Sequence, residues 1–137
     1  MILATCERII AAPLDLVWEL VSTAEGLGRW MAVEATVELR PGGAIRWVHD
    51  NGWVVAGEIR EVVPPTRLVF SYGWERGGFP VPVGSSDVTI ELTPEPSGVT
   101  RFSVRHRGLP SEEEAERHTG GWALFADRLV VAATGSP

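Results

Sequence analysis

The chain predicts an α+β domain in which an antiparallel sheet curls around one long helix. Several stretches alternate apolar and polar residues with period two, as strands with one wet face do. Pro41-Gly42-Gly43, Asp50-Asn51-Gly52, Pro64-Pro65 and Pro94 to Gly98 supply turn chemistry between them. A single helical stripe, Trp122, Phe125, Leu129 and Ala133, ends the chain and is the element long enough to cover the sheet's apolar face.

Residues 3–10 are mostly apolar and β-compatible, and Pro13 ends them at the first turn of a helix. That helix runs to about Ser22, with Leu14, Val17, Trp18 and Val21 on one face and Asp15 near its N-terminus. Ala24 to Trp30 reads as a second short helical turn. Val33, Ala35, Val37 and Leu39 alternate with Glu34, Thr36, Glu38 and Arg40, the cleanest strand in the chain. Ile45, Trp47 and His49 are in phase on the next strand, and residues 53–63 form another. From Arg67 onward Leu68, Phe70, Tyr72 and Trp74 share a face opposite Val69, Ser71 and Gly73. Residues 76–86 form a Gly/Pro-rich loop with Phe79, Val81 and Val83 at its centre. Val88, Ile90 and Leu92, then Phe102, Val104 and His106, mark the last two strands, with His106 facing inward. Ser111 and Glu114 stand at capping-box spacing, and Gly135 is a natural stop. Gly120 and Gly121 imply a helix that restarts there or a close backbone approach, since each costs about 1 kcal/mol inside a helix.

At 137 residues the chain fits a single domain, residues 1–137, able to bury a core without staples. A net charge of −6 argues against nucleic acid. All twelve basic residues are Arg, so Schiff-base chemistry is excluded. Cys6 stands alone, and its expected place is half-buried on the first strand. No signal peptide opens the chain and no run reaches the about 20 apolar residues of a membrane span, so a cytoplasmic protein without membrane insertion is the expectation. Six Trp are many for this length and point to a core, an interface or a pocket.

Ile10 to Pro13 with Val17-Trp18, Trp30, Arg40-Pro41-Gly42-Gly43, Gly57 to Val62, Pro64 to Phe70, His106 with Gly108-Leu109, and Gly121-Trp122 stand in a telling order. In that order the chain resembles the START/SRPBCC helix-grip superfamily, and within it the homologues of the heat-shock-protein-90 ATPase activator. The resemblance spans nearly the whole chain. It implies a seven-stranded antiparallel sheet gripping the last helix, with two short helices after the first strand. It also implies a cavity between sheet and helix that takes apolar small molecules in many members. Some relatives are polyketide cyclases or aromatases, and others carry lipids or hormones. The eukaryotic chaperone activator has an additional domain beyond the part matched here, and the family has no universal catalytic motif to carry over.

The candidate pocket is the inward face: Trp47, His49, Tyr72, Trp74, Phe102, His106, and from the helix Trp122 and Phe125. Phe70, Phe102 and Leu129 also fit a plain core. His106 is the best polar candidate, as ligand anchor or as acid/base. His49, beside Asp50 and Asn51, is expected at a solvated strand end. His118 shares a helical face with Trp122 only if the two glycines leave the register intact. Three His without short ligand spacing indicate neither metal nor cofactor. No nucleophile elbow and no phosphate-binding glycine loop appear. Phe79 to Val83 reads as a lid or as a homodimer contact.

Three functions follow. The first is binding of a small apolar or aromatic ligand. The second is a metal-free cyclase- or hydratase-like reaction using His106. The third is a chaperone-associated interaction module.

Overall fold

In a computed structural model describing residues 2–135, the chain runs β1 (Leu3–Ile10), α1 (Leu14–Ser22), α2 (Ala24–Leu27), β2 (Glu34–Val37), β3 (Ala44–Val48) and β4 (Val54–Val63). It continues through β5 (Arg67–Arg76), β6 (Ser86–Glu95), β7 (Val99–Arg107) and α3 (Glu112–Thr134). The seven strands pair antiparallel in the order β1-β7-β6-β5-β4-β3-β2, so only β1 and β2 are edges. Every connection between β2 and β7 is therefore a hairpin, which suits the short turn segments of the sequence.

The α3 helix covers the inner face. Its start is the expected one, as the Ser111 hydroxyl accepts the Glu114 N–H at 3.2 Å. Its end is the left-handed Gly135 (φ 71°), whose N–H donates to the Val131 carbonyl. Between them the helix passes Gly120 and Gly121 without a break. A Cβ at either glycine would meet nothing within 4 Å. Neither a restart nor a close backbone approach explains these glycines; the long, well-capped helix absorbs their cost.

The sheet bends where its partners demand it. A Cβ on Gly57 would collide with the Ser71 carbonyl, and the β4–β5 register slips between Ile59 and Glu61. A Cβ on Gly73 would collide with the Pro82 carbonyl, so this glycine lets the 77–85 loop lie across β5. The loop is pinned there by the Trp74 N–H donating to Val81, which is fully buried.

β2 is shorter than its alternation suggests. Beyond Val37 the chain turns tightly, with Arg40 N–H on the Glu38 carbonyl, and a side chain at Gly43 would strike that same carbonyl. Val33 and Leu39 are left exposed at its ends. Trp30 closes the opposite side of the core, its indole donating to the Leu20 carbonyl at 2.8 Å where α1 ends. Phe70, Phe102 and Leu129 are sealed in the core.

Candidate functional site

Strand alternation brings Ile45 and Trp47 to the inner face of β3, and it continues one residue further. The His49 N–H donates to the Trp53 carbonyl at 2.7 Å, and Gly52 N–H returns to the His49 carbonyl. The ladder thus extends past β3, and Asp50 to Gly52 form the tight turn beyond it. His49 is consequently buried, at 7 % exposure, not at a solvated strand end. Its ring stacks on Trp74 (5.5 Å, 28°) and lies 5.1 Å from the Phe125 ring.

β5 sends Tyr72 and Trp74 inward, and α3 faces them with His118 and Trp122. Because the helix is continuous, these two residues lie one turn apart on its buried side. The elements leave a hollow of about 260 Å³. Of the residues expected to line it, Trp47, His49, Tyr72, Trp74, Trp122 and Phe125 do. Phe102 and His106 stand behind the wall, both fully buried, with Phe102 edge-on to Trp30. His118, Trp53, Phe79 and Gly121 join them in the lining, with Met31, Asp50, Asn51, Arg117, Leu124 and Arg128. Phe79 leans on Trp74 with ring centroids 4.6 Å apart, so the loop residue is a side wall of the hollow.

Each imidazole is tied to an indole. Trp47 Nε1 donates to His49 Nε2 (3.1 Å), Trp74 Nε1 to His118 Nε2 (3.0 Å) and Trp122 Nε1 to His106 Nδ1 (3.2 Å). An indole N–H only donates, so the accepting nitrogen carries no proton and all three rings are neutral. His106 then donates Nε2–H to the Ser86 hydroxyl (2.9 Å), which donates to the Tyr72 carbonyl. His118 donates Nδ1–H to the Glu114 carbonyl at 2.8 Å. Burial holds all three imidazoles below their usual range, and His106, further opposed by His118, falls to about 3.

The Tyr72 hydroxyl differs. Its ring is 4 % exposed and packs edge-on against His106 at 4.3 Å, yet among the described residues it makes no hydrogen bond. The sealed side-chain atom without a partner is Glu114 Oε1, not the phenol, whose oxygen therefore opens on the hollow. Burial pushes the Tyr72 phenol far up, so it stays protonated and can donate.

The family model described as Activator of Hsp90 ATPase homolog 1-like protein matches residues 11–134. The chain belongs to that family. Comparison with curated proteins finds no match. Among solved structures, DynU16, from the dynemicin biosynthetic locus, superposes with a TM-score of 0.83 at 24 % identity. All of this chain is covered there, but it spans only 49 % of DynU16. CalU16 from Micromonospora echinospora gives 0.76 at 27 % identity, over 97 % of this chain and 74 % of that one. The Aha1 dimer from Colwellia psychrerythraea gives 0.82 at 16 % identity, with both chains fully covered.

Within this Activator of Hsp90 ATPase homolog 1-like domain the polar chemistry is unevenly available. The imidazole nitrogens of His106 and His118 are all spoken for, and His49 accepts from Trp47 at Nε2. The phenol of Tyr72 is free. At the rim, Arg128 lies over the Phe125 ring (5.1 Å), and Asp50 stands beside it in the lining. Arg117 also lines the hollow but is held by Glu113 and Glu114. His118 had a sequence signal, its four-residue spacing from Trp122, and Phe79 had one in the apolar loop read as a lid or a dimer contact; Arg128 had none that separates it from surface residues.

Proposed function

We propose that this protein binds a small, flat, largely apolar molecule in the hollow between β3, β5 and α3. The observation that carries the reading is an aromatic chamber whose imidazoles are tied to indoles and whose Tyr72 hydroxyl, among the described residues, makes no hydrogen bond. Ligand sites are built this way, from apolar walls and a few placed hydrogen-bonding groups. At about 260 Å³ the hollow is smaller than the roughly 300–1,000 Å³ of drug-sized sites, which suits one or two fused rings. Superposition on a protein of the dynemicin biosynthetic locus is in keeping with a small-molecule role.

The same geometry weighs against His106 as acid/base. A base needs a free lone pair within reach of substrate. His106 has its Nδ1 on Trp122, its Nε2 proton on Ser86, and no exposed surface.

Native mass spectrometry of freshly purified protein, followed by a thermal-shift screen of fused-ring aromatics, tests the reading. A bound adduct, or stabilisation that grows with ligand concentration, supports it. A bare mass with no shift across the screen overturns it.

A second reading, self-association or chaperone contact through α3, draws on exposed Leu124 and Val131, which lie two turns apart on one face. A dimeric structural neighbour is consistent with it. Light scattering of wild type against a Leu124→Glu, Val131→Glu variant tests the self-association arm: a dimer lost in the variant supports it, and a monomeric wild type removes it.

A further inference from the structure

We infer that the hollow selects an aromatic anion, its ring among the indoles and its negative group at the rim on Arg128. The inference rests on the ligand-binding reading and specifies the ligand's charge.

Three observations lead to it. Arg128 is the cation that lines both the aromatic hollow and an adjoining, more open one of about 470 Å³, so it stands where the first opens. It forms no ion pair among the described residues, whereas Arg117 on the same lining is neutralised by two glutamates. Its guanidinium lies over the Phe125 ring, 5.1 Å from the centroid. With no carboxylate on it, the guanidinium there keeps its N–H groups for a ligand, and a guanidinium can meet a carboxylate bidentately.

The depth of the site argues in the same direction. The imidazoles are neutral and their acceptor nitrogens are filled by indole N–H groups. Nothing inside the chamber offers a carboxylate to a cationic ligand. An ammonium would have to take its counter-charge from Asp50 at the rim, beside Arg128. Asp50 and Arg128 do not pair with each other, so the two set opposing preferences. What favours the anion is Arg128, over Phe125 and in no ion pair among the described residues, with the Tyr72 donor on the same lining.

Calorimetric titration with naphthoate and its neutral isostere naphthamide separates the possibilities. Naphthoate is expected to bind at least about threefold more tightly than naphthamide in low salt, with the gap closing as salt is raised. Arg128→Gln should remove the gap, with naphthoate losing at least about threefold more affinity than naphthamide. Asp50→Asn should widen it. If both compounds bind equally in wild type and in Arg128→Gln, the charge preference is overturned and the binding reading stands. If neither binds saturably, both fall.

Discussion

The Trp122 indole donates to His106 Nδ1 across 3.2 Å, and this one bond changes what the histidine can do. With Nε2–H already on Ser86, the ring has no lone pair left for a substrate proton. Its place is therefore structural: it joins α3 to β6 and β7 through the core. His106→Ala is expected to destabilise the fold by about 2–4 kcal/mol, since it leaves a buried indole N–H unpartnered and takes from the Ser86 hydroxyl the donor it accepts, beside a void. Urea denaturation measures it. A loss under about 1 kcal/mol would contradict the assignment.

Acid should unfold the protein by a defined route. Unfolded imidazoles titrate near 6.5, and burial places all three lower in the folded chain. Between those values the unfolded state holds protons that the folded state does not, so stability is full above pH 6.5 and falls as pH drops toward the folded values. Each imidazole contributes up to about 1.4 kcal/mol per pH unit in that window. Urea midpoints from pH 7.5 down to about 5 check this, with His106→Gln expected to lower the slope by one proton's worth. A flat profile over that range would count against buried neutral imidazoles.

Tyr72→Phe should leave stability within about 0.5 kcal/mol of wild type, because the hydroxyl has no protein partner to lose. Binding of a naphthyl ketone should weaken by about three- to tenfold, while methylnaphthalene binds as before. Equal weakening of both ligands would mean that the phenol acts through shape and not through its proton.

Gly120→Ala should stabilise α3 by about 1 kcal/mol, since a Cβ there meets nothing and the residue does not line the hollow. Chemical denaturation reads the gain, and ligand affinity should not move. A destabilised variant would imply a packing role for this glycine.

Much of the frame was legible in the sequence because it depends on local chemistry. Period-two alternation marked β3 and β5 to β7, and Ser111 with Gly135 bounded α3. Where the reading failed, a longer-range contact decided. His49 looked solvated beside Asp50 and Asn51, but its pairing with Trp53 carried the ladder one residue further. Gly120 and Gly121 looked like an interruption, yet a 23-residue helix capped at both ends outlasts them. The indole–imidazole bonds could not be foreseen, joining residues 2, 16 and 44 apart with no shared motif. Phe102 and His106 shared the inward phase of the lining residues, but His106 is covered by Tyr72 and Trp122 while Phe102 packs edge-on against Trp30.

The most direct test of the account fills the hollow. Gly121 lines it, and a side chain added there meets no protein atom nearby, so Gly121→Leu should plug the chamber without disturbing the fold. Titrating a fused-ring aromatic into wild type and variant by calorimetry decides the matter. The account requires saturable one-to-one binding with a negative heat-capacity change, abolished in a variant that is at least as stable. Binding that survives the plug unchanged, or no binding to wild type, would contradict it.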